Sequence, residues 1–185
     1  MQFKLQEPWT EWLIPTIIGR IVWYSKLDTG SSVTLIGKKV ADQFGLSTDF
    51  IISQPCIKFL GVFDKTQGYA FKVPCGFLPL GDNKLPISKI FVPFEFTHEE
   101  STYRFTTTDK YLIGTDVLNN YNCTIIFTGG LTGKVVKSTV LKLDPHGLLI
   151  PDVHQKEYTI EQLAKEASLD KKFKSIWKTE ETQIK

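Results

Sequence analysis

A carboxylate, a small hydroxyl residue and a glycine, Asp28-Thr29-Gly30, separate two runs that otherwise read as β-strand, IVWYSKL before and SVTLI after. Asp and Gly are both depleted in strands. A turn joining the two strands accounts for them, because Asp, Thr and Gly all suit turns. A turn that aims a carboxylate out of a rigid sheet accounts for them equally well. The rest of the chain has to separate the two readings.

From Trp12 to about Asp144 short β-branched and aromatic runs alternate with Gly, Pro, Asn and Asp. That pattern predicts many short strands and little helix, as in an all-β barrel or sandwich. WLIPTIIGRIVWYSKL reads as two strands broken near Pro15 and Gly19. KKVADQFGL is helix-compatible and closed by Gly45. Further turns are expected at Asp64–Gly68 and at Gly81-Asp82-Asn83, and YLIGTDVLNNY reads as strand, Gly turn and one short helix. CTIIFTGGLTGKVVKSTVLKL reads as a C-terminal hairpin or two, with turns near Gly129-Gly130 and, for a second hairpin, Lys137-Ser138. The Phe-rich run (Phe71, Phe77, Phe91, Phe94, Phe96) is expected in the core, with one or two of them left over to line substrate pockets. After Pro145 the spacing of Ile160, Leu163, Ala164 and Ala167 is helical. Thr159 and Gln162 fit a capping box. The organisation expected is a domain over 12–144 and a helical extension or linker over 145–185, which either packs on the domain or leads elsewhere.

Composition narrows the class of function. The 185 residues are 42% hydrophobic and 23% charged, with a formal net charge of +2. So small a charge gives no reason to expect nucleic-acid binding. No apolar run approaches the roughly 20 residues that cross a bilayer, so no membrane partner is expected. No signal-peptide pattern opens the sequence. Cys56, Cys75 and Cys123 lack zinc-site spacing and read as thiols of a reducing compartment. His98, His146 and His154 show no ligand spacing, so neither metal nor cofactor is expected. TGGLTGKVV has the wrong spacing for a phosphate loop, and HEEST lacks the second His of a zinc protease.

The second informative stretch is YLIGTDVL, Tyr111–Leu118. Taken with LDTGSS followed by VTLI, it resembles the retropepsins, the aspartic proteases of retroviruses and retrotransposons. LDTGSS is similar to the family's active-site signature, and YLIGTDVL to its second signature. Between them FLGVFDKTQGYAF (Phe59–Phe71) resembles the family's flap. The resemblance covers about residues 12 to 130. It implies a closed retropepsin-like acid protease barrel with one short helix, to which this chain adds the hairpin and helical tail. A pepsin-like enzyme has two such loops on two lobes. Here one loop and no internal repeat are found. The resemblance therefore implies a homodimer in which two copies of one carboxylate meet on a two-fold axis.

Site roles follow from the resemblance. Asp28 would be the catalytic carboxylate, sharing one proton with its mate and activating a water for attack on a peptide carbonyl. Thr29 would lock the two loops together, and Gly30 would approach the substrate backbone. The Ser31 hydroxyl would donate to the Asp28 carboxylate and favour an acidic pH optimum. Gly61, Val62, Phe63 and Gly68 would belong to a flap closing over substrate, and Val33 would line a side-chain pocket. Gly114 would allow the turn into the helix after YLI, the strand that would back the active loop. Thr124–Val136 would lie at the dimer interface. The implied partners are a peptide or polyprotein substrate and a second copy. The implied setting is host cytoplasm or a virus-like particle, with the tail leading toward a reverse transcriptase in a precursor. A second reading keeps the fold and drops the chemistry: a dimeric binding or ubiquitin-pathway module. The intact Asp-Thr-Gly weighs against it.

Overall fold

A computed structural model describes residues 2–4, 12–60, 67–96, 102–121, 123–128, 138–143 and 155–169. In chain order the strands are β1 (Gln2–Lys4), β2 (Leu13–Ile18), β3 (Ile21–Leu27), β4 (Leu35–Ile36), β5 (Cys56–Leu60), β6 (Gln67–Pro74) and β7 (Phe77–Leu80). They continue with β8 (Asn83–Pro86), β9 (Lys89–Phe96), β10 (Tyr103–Phe105), β11 (Tyr111–Ile113), β12 (Thr124–Thr128) and β13 (Ser138–Lys142). The helices are α1 (Lys38–Gln43), α2 (Thr48–Ile52), α3 (Thr115–Leu118) and α4 (160–169).

The β-rich expectation holds, but the sheet is mixed. Eight strands form one sheet along the path β2-β3-β11-β4-β9-β6-β5, with β10 on β9. Two pairings are parallel, β11 with β3 and β4 with β9. Among the described residues the two ends of the path, β2 and β5, do not pair, so a closed barrel is not formed. Strand count and alternation are properties of each segment, whereas closure needs the two end strands to meet. A separate sheet has the order β1-β13-β12, and β7 with β8 makes a hairpin.

Local rules explain most elements. In β2, Ile14, Thr16 and Ile18 face inward and Pro15 and Ile17 outward, the period of two of a half-buried strand. Pro15 does not break β2, contrary to the sequence expectation. The strand ends the sheet path, and proline is tolerated at an edge. The break falls at Gly19 alone, whose φ of +63° closes the turn into β3. Gly45, at φ +82°, ends α1 as expected, and Gly81 at φ +57° turns β7 into β8. Strand β9 is buried along Ile90–Phe94, as expected for a strand covered on both faces. Helix α2 was not foreseen, although its signal was present: Ser47 caps it by accepting from the Phe50 amide, with Asp49 in the first turn.

The main core gathers Ile14, Ile36, Phe71, Leu78, Ile90 and Val92 with their neighbours. A smaller cluster of Val33, Leu35, Ile57, Ala70, Phe91 and Leu112 packs separately. Of the Phe-rich run, Phe71, Phe91 and Phe94 are buried and Phe96 is half-buried. Phe77 is 58% exposed, because β7 turns Leu78 and Leu80 inward and leaves Phe77 on the other face. The C-terminal hairpin is present as β12 paired with β13, and β13 also pairs with β1, upstream of the expected domain start. Its loop, 129–137, lies outside the described residues.

The described part of the tail packs on the sheet. Cys56 and Tyr158 exchange two backbone hydrogen bonds, at 2.7 and 2.8 Å, extending the β5 edge. Lys72 pairs with Glu157 at 2.7 Å, Lys58 pairs with Glu166, and the Lys58 ammonium lies 4.6 Å from the centre of the Tyr158 ring. The capping box of α4 is formed: the Thr159 amide donates to Gln162 Oε1 at 2.9 Å and the Gln162 amide to Thr159 Oγ1 at 3.1 Å. Leu163, only 1% exposed, joins the main core. Half-exposed ion pairs contribute little, whereas a fully buried Leu contributes much. Leu163→Ala should therefore destabilise by about 2–4 kcal/mol. Lys58→Ala should cost no more than about 1 kcal/mol. Urea unfolding of both variants measures the ratio, and an equal cost would contradict core docking of the tail.

Candidate active site

The loop from Asp28 to Thr34 joins β3 to β4, and β11 runs between those two strands, parallel to β3 and antiparallel to β4. The loop therefore sits directly on the end of β11 and on Gly114–Asp116. A set of hydrogen bonds pins it there. The Asp28 amide donates to the Ile113 carbonyl at 2.9 Å, and the Thr115 amide donates to the Ser31 carbonyl at 2.8 Å. The Thr34 amide donates to Asp116 Oδ2 at 3.0 Å, and the Thr34 hydroxyl donates to Asp116 Oδ1 at 2.6 Å. The same hydroxyl oxygen accepts from the Gly114 amide at 3.0 Å. The two stretches quoted from the sequence are thus one structural unit.

Gly114 is needed for closeness rather than for turning. Its φ of −94° is open to any residue. A Cβ there would lie 2.5 Å from the Val33 carbonyl oxygen and 2.8 Å from that of Ser31, both backbone atoms that cannot swing aside. This corrects the expected turn role.

At the tip, Asp28 is half-buried, and Thr29 and Gly30 are exposed. The Gly30 amide donates to Asp28 Oδ1 at 2.9 Å, an Asx-type turn that fixes the carboxylate. The Ser31 hydroxyl donates to the Val33 carbonyl at 2.7 Å. It does not go to the Asp28 carboxylate as expected, since a carbonyl two residues on is within reach of the same turn. Val33 is 3% exposed and enclosed in the smaller core cluster. Gly68 lies in β6 opposite Phe59, and a Cβ there would meet the Phe59 ring at 2.4 Å, so the glycine makes room for that ring. Gly61, Val62 and Phe63 lie outside the described residues.

Thr34 and Asp116 were given no role by the sequence reading. Thr34 is fully buried. A lone hydroxyl inside the apolar run VTLI was the available signal. Burial pushes the Asp116 carboxyl above its ordinary range, against the downward pull of the Thr34 and Val117 hydrogen bonds and of Lys89. Among the described residues no three His, Cys, Asp or Glu side chains gather as a metal would need. All three cysteines are free, and burial, reinforced by Glu161, pushes the Cys56 thiol up to about 12. No helix among the described residues is long and apolar enough to cross a membrane. A cavity of about 850 Å³ opens elsewhere, lined by Ile17, Phe44, Phe50, Cys75 and Phe77 among others, and Asp28 does not border it.

No family profile and no curated protein matches the chain. Among solved structures, a retropepsin-like aspartic protease from Rickettsia conorii is similar over 76% of this chain and 88% of that one, at 12% identity and a TM-score of 0.44.

Two outcomes test this geometry. Gly114→Ala should destabilise by about 2 kcal/mol or more, because it forces backbone apart. A thermal melt within error of wild type would contradict the close approach. For Asp116, a raised folded pKa means that the folded chain holds more protons than the unfolded one. The stability this adds is fully present below the ordinary carboxylate pKa of about 4 and is lost as pH rises through the folded value. The urea midpoint of wild type should therefore fall relative to that of Asp116→Asn on going from about pH 4 to about pH 7. A relative rise would show that the hydrogen bonds outweigh burial.

Proposed function

We propose that the chain is a retropepsin-like aspartic endopeptidase that works as a homodimer. The observation that carries this reading is the braced Asp28-Thr29-Gly30 turn. A half-exposed carboxylate, oriented by the Gly30 amide, stands at the tip of a loop whose base is tied to β11 and Gly114–Asp116. A turn that served only to reverse the chain would not need such bracing.

One chain supplies one such carboxylate, so the second comes from another copy. Two facing Asp28 groups would hold one proton between them. The charged member would take a proton from a water as that water attacks the scissile carbonyl. The protonated member would donate to the carbonyl oxygen. Thr29, exposed beside Asp28, would meet its counterpart across the axis. The substrate would bind extended and add a strand above the two loops, with residues 61–68 covering it. The natural substrate in this reading is the polyprotein of a retroelement, cut in a reducing compartment. The runner-up is a dimeric binding module of the same fold without cleavage.

The full chain, assayed on a peptide library, should cleave between apolar residues and be blocked by a statine-type inhibitor. Asp28→Asn should lower kcat by about 10⁴-fold or more, in line with removal of a group that takes part in the chemistry, while gel filtration still shows the dimer. At low concentration the rate should rise with the square of protein concentration. Cleavage retained in Asp28→Asn, or no cleavage of any peptide by a dimeric wild type, overturns the proposal, and the latter result favours the binding module.

A further inference from the structure

Thr34 is fully buried and Asp116 half-buried, and the chemistry above uses neither. Neither hydrogen-bonds to Asp28. The Asp116 carboxylate accepts from the Thr34 amide, the Thr34 hydroxyl and the Val117 amide, at 3.0, 2.6 and 2.8 Å. All three donors are directed at two oxygens, which satisfies a carboxylate partly withdrawn from water. Thr34 ends the same loop that Asp28 begins. Its hydroxyl also accepts from Gly114, so one side chain joins loop, glycine and helix start.

We propose that Asp116 and Thr34 form a positioning pair that sets the shape of the Asp28–Thr34 loop and thereby the aim of the Asp28 carboxylate. The inference rests on the endopeptidase reading for its effect on turnover, but not for its effect on the loop. Asp116 fixes Thr34 through two parallel contacts, one to main chain and one to side chain, so the loop base cannot rotate about either alone. With Asp28 Nα and the Ser31 carbonyl also held, the freedom left is at the tip. Loss of the hydroxyl removes one contact to Asp116 and leaves the Gly114 amide buried without its acceptor. An Asn at 116 replaces one acceptor by a donor facing another donor, which repels rather than binds.

The test compares Thr34→Val, Thr34→Ser and Asp116→Asn with wild type, all as the full chain. Amide hydrogen exchange is read over 29–34 and, as an internal control, in β6 and β9. Thr34→Val and Asp116→Asn should speed exchange in the loop about tenfold or more while β6 and β9 keep their protection, as for a local opening. Thr34→Ser, which keeps the hydroxyl, should exchange as wild type. In peptide cleavage the first two variants should lose about 10- to 100-fold in kcat with KM little changed, the signature of a misaimed group. Thr34→Ser should restore kcat. Loss of protection spread evenly over all strands, or loop exchange unchanged by Thr34→Val and Asp116→Asn, overturns the inference. A wild type that cleaves nothing removes the endopeptidase reading, and the exchange result still decides whether the pair shapes the loop.

Discussion

The structure depends on one mutual brace, the loop 28–34 held against residues 113–116. It joins two segments far apart in sequence, through backbone groups and through the side chains of Thr34 and Asp116. The Asp28 amide, the Ser31 carbonyl and the Thr34 amide all find partners on β11 or just after it. A loop that joins two strands separated by a third has no hairpin partner of its own, so its polar groups need these contacts. The insertion of β11 between β3 and β4 is what brings the partners within reach.

That brace is more than a reversing Asp-Thr-Gly turn in a strand-rich sequence requires. A reversing turn satisfies itself with one hydrogen bond and exposes the rest to water. Here the base of the loop is buried and pinned, while the tip holds its carboxylate half in solvent. Rigid support below an accessible acid is the arrangement that positioned chemistry needs. The tail adds stability from outside the site: Leu163 enters the core, and the Cys56–Tyr158 bridge covers part of the β5 edge.

Local features were legible in the sequence because each is decided by neighbours. The Gly19, Gly45 and Gly81 turns, the α4 capping box and the pairing of β12 with β13 all follow from short-range chemistry. The Asp28 turn and the β11–α3 unit are separate motifs in the residues, and only the family resemblance implied that YLI backs the loop, as it does. What was missed is long-range. The parallel pairings, the unpaired sheet ends and strand β1 against β13 are set by which segments meet. The roles of Thr34 and Asp116 depend on the same meeting. Phe77 was expected in the core and lies outside because one residue of strand phase decides the face. Ser31 chose a nearby carbonyl over the carboxylate, a competition between acceptors that residue type alone does not resolve.

In the proposed endopeptidase, catalysis needs an Asp28 from each of two chains. The most direct measurement holds wild-type protein constant and adds growing amounts of Asp28→Asn chain. If the acid is shared, mixed pairs form and peptide cleavage falls toward zero as the variant reaches excess. A rate that stays constant while mixed pairs are shown to form would mean that one chain carries the whole site, and the account would be wrong.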